Sequence, residues 1–135
     1  MVSRTRLQFA GTRRAESVSR LRNAVTELAR HWVPEDRLDD VALVTSELLT
    51  NALQHGAHDT DIVTEVVAHD DTFVVEVTNV IAAERPPPIS MWRIASADRS
   101  RGRGLGIVHR LASQIDLRSD DETVTVAVTW PRDKR

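Results

Sequence analysis

Apolar residues recur at helical spacing from about Arg14 to Trp32, at Val18, Leu21, Val25, Leu28 and Trp32. Val33-Pro34 closes the run, because the residue before a proline is pushed out of the helical region. A second helical pattern extends from about Asp36 to His55, with Val41, Leu48, Leu49, Ala52 and Leu53 on one arc and Gly56 as a C-terminal stop. The period then changes to two. Asp61 to Val67 and Thr72 to Thr78 are β-branched runs separated by His69-Asp70-Asp71, the pattern of an antiparallel hairpin with Phe73, Val75 and Val77 on one face. Leu105 to about Ile115 reads as a helix, and TVTVAVTW at the end alternates so that Val124, Val126, Val128 and Trp130 share a side. A short strand around Leu7 to Phe9 completes an order β-α-α-β-β-loop-α-β. That order predicts an α+β, two-layer sandwich: a mostly antiparallel sheet with about three helices stacked on one face.

Between the hairpin and the next helix, from about Val80 to Arg103, IAAERPPPIS is followed by SADRSRGRG, which reads as one long loop. A chain of 135 residues suits a single domain spanning 1–135. Eighteen Lys and Arg against twenty Asp and Glu give a formal charge of -2, so no bulk positive field exists to hold nucleic acid or an anionic membrane. The absence of cysteine excludes disulfides, thiolate metal sites and a cysteine nucleophile. MVSRTRLQFAGTRR lacks the apolar core of a signal peptide, and no run approaches the ~18 apolar residues of a membrane span, so the expected location is cytoplasmic.

Two segments carry candidate chemistry. In the second helix, Glu47 and Asn51 are four apart and project from one face. The Asn51 carbonyl suits Mg²⁺, which prefers oxygen ligands, and Glu47 suits ordering a water or accepting a proton. The plainer reading is a solvated surface, since Asp40, Glu47, Asn51 and Gln54 project within a narrow arc opposite the apolar one. The second segment, Arg101-Gly102-Arg103-Gly104-Leu105-Gly106, sets three glycines at alternating positions before a helix. Glycines let backbone N–H groups approach an anion, and a helix N-terminus adds partial positive charge, so a phosphate site is the natural reading. It is neither the dinucleotide fingerprint nor the P-loop, and a flexible basic surface loop is its bland alternative. Arg99, Arg101 and Arg103 could close on phosphates with charge-assisted contacts.

E-x-x-x-N on a helix, then a hairpin, then G-x-G-x-G opening another helix resembles the GHKL (Bergerat-fold) ATPases, which show these motifs in this order. TSELLTNALQHG and GRGLGIV look most like the bacterial anti-sigma-factor serine/threonine kinases within that family, and the resemblance covers about Phe9 to Trp130. It implies that Glu47 is a catalytic or water-ordering carboxylate and Asn51 a Mg²⁺ ligand. By the same resemblance Gly102, Arg103, Gly104, Leu105 and Gly106 lie beside the phosphates of ATP or ADP, and the segment at about 80–103 is a lid. His55 either approaches the nucleotide or serves as a capping or packing histidine, and Thr123 matches, more loosely, a threonine near the adenine. One departure is visible: where the family commonly has an adenine-binding aspartate in D-x-G-x-G, this chain has Asn79 and lacks the glycines. Asn79 keeps a carbonyl acceptor but loses the charge, or is simply a strand-end asparagine.

The resemblance implies a regulatory kinase that phosphorylates an antagonist protein and sequesters a sigma factor, with a homodimer as a further expectation. Asn79 motivates the alternative of a degenerate module that binds partner proteins, with or without nucleotide, and does not catalyse. The catalytic piece of a histidine kinase is disfavoured because no helix pair bearing a phospho-acceptor precedes the motifs, His31 being a helix-end histidine. Direct DNA binding is disfavoured by the charge balance and by the lack of a helix with clustered basic residues.

Overall fold

A computed structural model describes residues 3–8, 15–55, 62–80, 108 and 110–133. Within them the strands are β1 (Ser3–Gln8), β2 (Ile62–Ala68), β3 (Thr72–Val80), β4 (Gln114–Ser119) and β5 (Thr123–Pro131), and the helices are α1 (Ala15–Ala29) and α2 (Leu38–His55). The strands form one antiparallel sheet in the order β1-β2-β3-β5-β4. The α+β sandwich expected from the sequence is therefore present.

Helix α1 buries Val18, Val25 and Ala29, with Leu21 and Leu28 packed against the same core. It ends in a turn where Trp32 N and Val33 N both donate to Ala29 O at 2.9 Å, and Pro34, which has no N–H, prevents continuation. A single 3-10 turn at Glu35–Arg37 then leads into α2, whose first turn holds Asp39 and Asp40, charges that suit a helix N-terminus. Val41, Val44, Leu48, Leu49 and Ala52 of α2 are buried. The helix packs on α1 and on β2 and β3.

The sheet's inner face, under the helices, is built by strict alternation. Ile62, Thr64, Val66 and Ala68 of β2 stand opposite Asn79, Val77, Val75 and Phe73 of β3, which in turn oppose Val124, Val126, Val128 and Trp130 of β5. Trp130 is fully buried and its indole Nε1 donates to Leu111 O at 3.2 Å, so the largest core side chain satisfies its one polar atom. The outer face mixes apolar residues, with Val67 and Ala127 buried among them, and paired polar ones: Thr78 and Thr125 hydroxyls lie 2.8 Å apart, Arg118 meets Glu76 at 3.4 Å, and Arg4 pairs with Glu65.

Several boundaries differ from the sequence reading: α1 ends at Ala29 rather than Trp32, and α2 begins at Leu38 rather than Asp36. The first strand occupies Ser3–Gln8, earlier than Leu7 to Phe9. Its pairing with β2 turns Thr5 and Leu7 toward the core side and Arg4 and Arg6 outward. The helix expected to reach Ile115 is over by Ala112: Val108, Arg110 and Leu111 are helical, and Gln114–Ser119 form β4 instead. The reason is pairing, since Ile115 opposes Val128 and Leu117 opposes Val126, which buries both against the core at period two. β3 also runs on through Asn79 and Val80. The expected lid, apart from Val80 at its start, lies outside the described residues.

Both ends of α2 are located by the topology. At one end, Arg132 stacks on the Trp32 ring at 4.3 Å, its guanidinium donates to His69 O at 2.6 Å, and its amide donates to Asp71 O. The β2–β3 turn therefore sits with the start of α2. At the other end residues 56–61 join His55 to Ile62, which pairs with Asn79. So α2 runs along the sheet from the hairpin turn toward the Asn79 end, and its last turns, with Asn51, lie at that end.

Candidate functional site

Asn51 follows Val44 by seven residues, almost two complete turns, and so projects along nearly the same line as that fully buried valine. Glu47 follows Val44 by three. In consequence Asp40, Glu47 and Asn51 are half-buried at the border of the core, and only Gln54 of the polar arc is exposed. The side of α2 facing away is marked instead by Leu43, which is 42% exposed. The arc is thus not a simple solvated face. Burial alone raises the Glu47 carboxyl above its ordinary value, which is the shift a proton-accepting or water-ordering carboxylate needs.

Asn79 is buried at the end of β3 on the inner face, 8% exposed. Its amide nitrogen donates to Val80 O at 3.1 Å, which leaves Oδ1 as the acceptor it presents. The structure thus brings Asn51 and Asn79 to the same end of the α2–sheet layer. Thr123 is placed differently. It is at that end but one residue out of phase with Val124, Asn79's direct partner, so it faces the outer side of the sheet. There its hydroxyl contacts both carboxylate oxygens of Asp120 at 3.2 Å, and its amide donates to Asp120 Oδ1 at 2.7 Å, closing the β4–β5 turn. His55 is the last residue of α2; Gly102, Arg103, Gly104, Leu105 and Gly106, like Arg99 and Arg101, lie outside the described residues.

Two polar groups escaped the sequence reading. Among the described residues the hydroxyls of Thr45 on α2 and Thr64 on β2 are buried without a hydrogen-bond partner. Each unsatisfied group of this kind costs about 1–3 kcal/mol, so both are anomalies in an apolar interlayer. The signal for Thr64 was present in Ile62-Val63-Thr64-Glu65-Val66, where it is the polar residue at an inward position of the alternation. Among the described residues no cluster of three or more His, Asp or Glu side chains could hold a metal by itself. Asn51 suits a Mg²⁺ that brings its own phosphates and waters, which is how this cation is usually held.

The chain has a half-buried Glu-x-x-x-Asn helix lying over an antiparallel sheet, a buried amide at the shared end, and orphan hydroxyls between the layers. The family model of the histidine kinase-like ATPase domain matches residues 12–130. The chain belongs to that family, and its fold is the α+β sandwich of GHKL-type ATP-binding domains. No curated protein matches the chain closely enough to narrow the identity further. Among the described residues no helix is long and apolar enough to cross a membrane.

Proposed function

We propose that the chain holds ATP or ADP with Mg²⁺ between α2 and the inner sheet face, and acts as a serine/threonine kinase of the anti-sigma-factor type. The observation that carries the nucleotide part is that Asn51 and the buried Asn79 lie at the same end of the α2–sheet layer, inside a matched ATPase domain. The buried orphan hydroxyl of Thr64 fits a polar guest there. Asn51 supplies an oxygen to Mg²⁺, whose charge offsets that of the phosphates. Glu47, with its raised pKa, accepts or orders the proton of an attacking hydroxyl. Asn79 Oδ1 accepts from the base, and Gly102, Gly104 and Gly106 offer backbone N–H groups to the phosphates, with Arg103 and Leu105 between them. The substrate is a serine or threonine on an antagonist protein, and the second partner is a sigma factor.

A second reading has its own observation. Asn79 replaces a charged acceptor by a neutral one, which favours a module that binds partners, with or without nucleotide, and transfers nothing. Calorimetric titration of ATP with and without Mg²⁺ separates the readings at their root. Micromolar, Mg-dependent binding that falls at least about tenfold in Asn51→Ala is expected, a loss equivalent to about 1.4 kcal/mol. Absence of binding at millimolar ATP would favour the partner-binding module. Phosphate transfer to a cognate partner that persists undiminished in Glu47→Ala would remove Glu47 from the reaction.

A further inference from the structure

The sheet ends in two edge strands, β1 and β4, and they differ in what they leave open. An edge strand turns half of its backbone N–H and C=O groups away from its one neighbour, where an added strand can take them. On the outer face β4 carries both signs of charge, and both are engaged: Gln114 donates to Asp116 at 3.4 Å, and Arg118 meets Glu76 at 3.4 Å. β1 carries one sign only. Its outward residues include Arg4, which pairs with Glu65, and Arg6, which is exposed and makes no ion pair among the described residues. Among those residues the backbone of β1 is bonded to β2 and to nothing else. Its inward residues, Thr5 and Leu7, are half-buried, with Leu7 packed on the core, so the inner face is only partly covered at this edge.

These features select the strand that fits. Directly opposed residues of antiparallel strands share a face, so a strand that continues the inner face past Thr5 and Leu7 sets its alternate residues beside Arg4 and Arg6. A second copy of β1 meets that condition badly. Centred on Thr5 it puts Arg4 opposite Arg6, and centred on Arg6 it opposes the two Arg6 residues, so like charges repel in either register. A wholly apolar strand gives the arginines nothing, which is how charge guards an edge. Carboxylates at alternate positions answer both arginines, as Glu65 already does for Arg4 from the β2 side. We propose that the open edge of β1 docks an extended segment of a partner protein in which acidic residues alternate with apolar ones. The acids lie beside Arg4 and Arg6, and the apolar residues extend the inner face from Thr5 and Leu7. Backbone hydrogen bonds hold the segment, and the arginines select its charge. The inference makes no use of the nucleotide site and stands whether or not the chain binds ATP.

The probes are capped, fluorescein-labelled peptides about ten residues long, enough to cover an edge strand of ordinary length. One alternates glutamate with valine, one alternates lysine with valine, and one carries the glutamates and valines of the first regrouped into blocks. Each is titrated into the full chain by fluorescence anisotropy, and amide hydrogen exchange reads where it seats. The alternating glutamate peptide is expected to bind at least about tenfold tighter than the other two. Its binding weakens as salt is raised, and it slows exchange at β1 and not at β4. Arg6→Glu is expected to reverse the preference in favour of the lysine peptide, and Arg6→Gln to weaken the glutamate peptide several-fold. Thermal melts check both variants; because Arg6→Glu sets a carboxylate opposite Glu65, Arg6→Gln decides the matter if the first variant melts early. Equal binding of the glutamate and lysine peptides overturns the proposal, as does equal binding of the alternating and blocked ones. So does slowed exchange at β4 alone, an Arg6→Gln variant that binds as the wild type does, or a wild type that binds none of the peptides. Sedimentation of the chain alone closes the remaining route: a dimer whose strength changes in Arg6→Gln would give this edge to a second copy and overturn the acidic partner.

Discussion

The two faces of the sheet treat the same residue type in opposite ways. On the outer face Thr78 and Thr125 are half-buried and bonded to each other at 2.8 Å. On the inner face Thr64 is fully buried and its hydroxyl has no hydrogen-bond partner among the described residues. The outer face closes its polar groups among neighbours on adjacent strands, with Arg118–Glu76 and Arg4–Glu65 beside the threonine pair. Among the described residues the polar positions of the buried inner face are Thr64, whose hydroxyl has no partner, and Asn79, whose amide nitrogen donates to Val80 O. Polar groups that find partners hold a sheet together; a buried one that finds none costs stability and calls for an explanation.

That contrast can be broken or sharpened by substitution. The largest effect is expected on the inner face, where Trp130→Ala would leave a cavity in the core and strand the Leu111 carbonyl it now satisfies. A loss of about 3–5 kcal/mol in denaturant unfolding is expected. On the outer face Thr125→Val leaves one partner of a half-buried hydrogen bond, and about 0.5–1.5 kcal/mol is expected, with nucleotide affinity unchanged. A change in nucleotide affinity in that variant would mean that the outer face is not separate from the site.

Glu47→Gln probes the border between the faces by its pH dependence. The folded-state pKa of Glu47 is raised by burial, so its ionised form is disfavoured in the folded protein. The folded state then holds more protons than the unfolded chain between the two pKa values, and stability falls as pH rises through that window. Thermal melts should therefore show Glu47→Gln more stable than the wild type at neutral pH, with the difference vanishing in acid below the unfolded-chain pKa. The smallest effect belongs to the exposed Arg118–Glu76 pair: Arg118→Ala should cost no more than a few tenths of a kcal/mol, and less in high salt.

Much of the fold was legible because its elements are long and their periods clean. α1, α2, the β2–β3 hairpin and β5 follow runs whose apolar spacing fits one period only. β4 was missed because Val108, Leu111 and Ile115 satisfy helical spacing while Ile115 and Leu117 satisfy alternation, and only pairing with β5 decides between them. β1 was placed too late because SRTRLQ has one apolar residue to announce a strand, and its partner lies some sixty residues away in sequence. In the site, Glu47 and Asn51 could be paired by a spacing of four, and Asn79 by its place after the hairpin. Thr64 breaks the apolar alternation of β2 in the sequence, but only the structure shows its hydroxyl buried without a hydrogen-bond partner among the described residues.

The sequence by itself determined the element types, the shared face of Glu47 and Asn51, and the departure at Asn79, because these depend on short-range spacing and residue chemistry. Tertiary structure alone decided that the polar arc of α2 borders the core, that Asn51 and Asn79 share an end of the layer, and that Thr123 and Asn79 lie on opposite sides of the sheet. The physical reason is strand parity. Which face a side chain occupies follows from register with a partner strand, and a shift of one residue reverses it. That register is set by contacts between distant segments, so no local pattern in the chain could contain it.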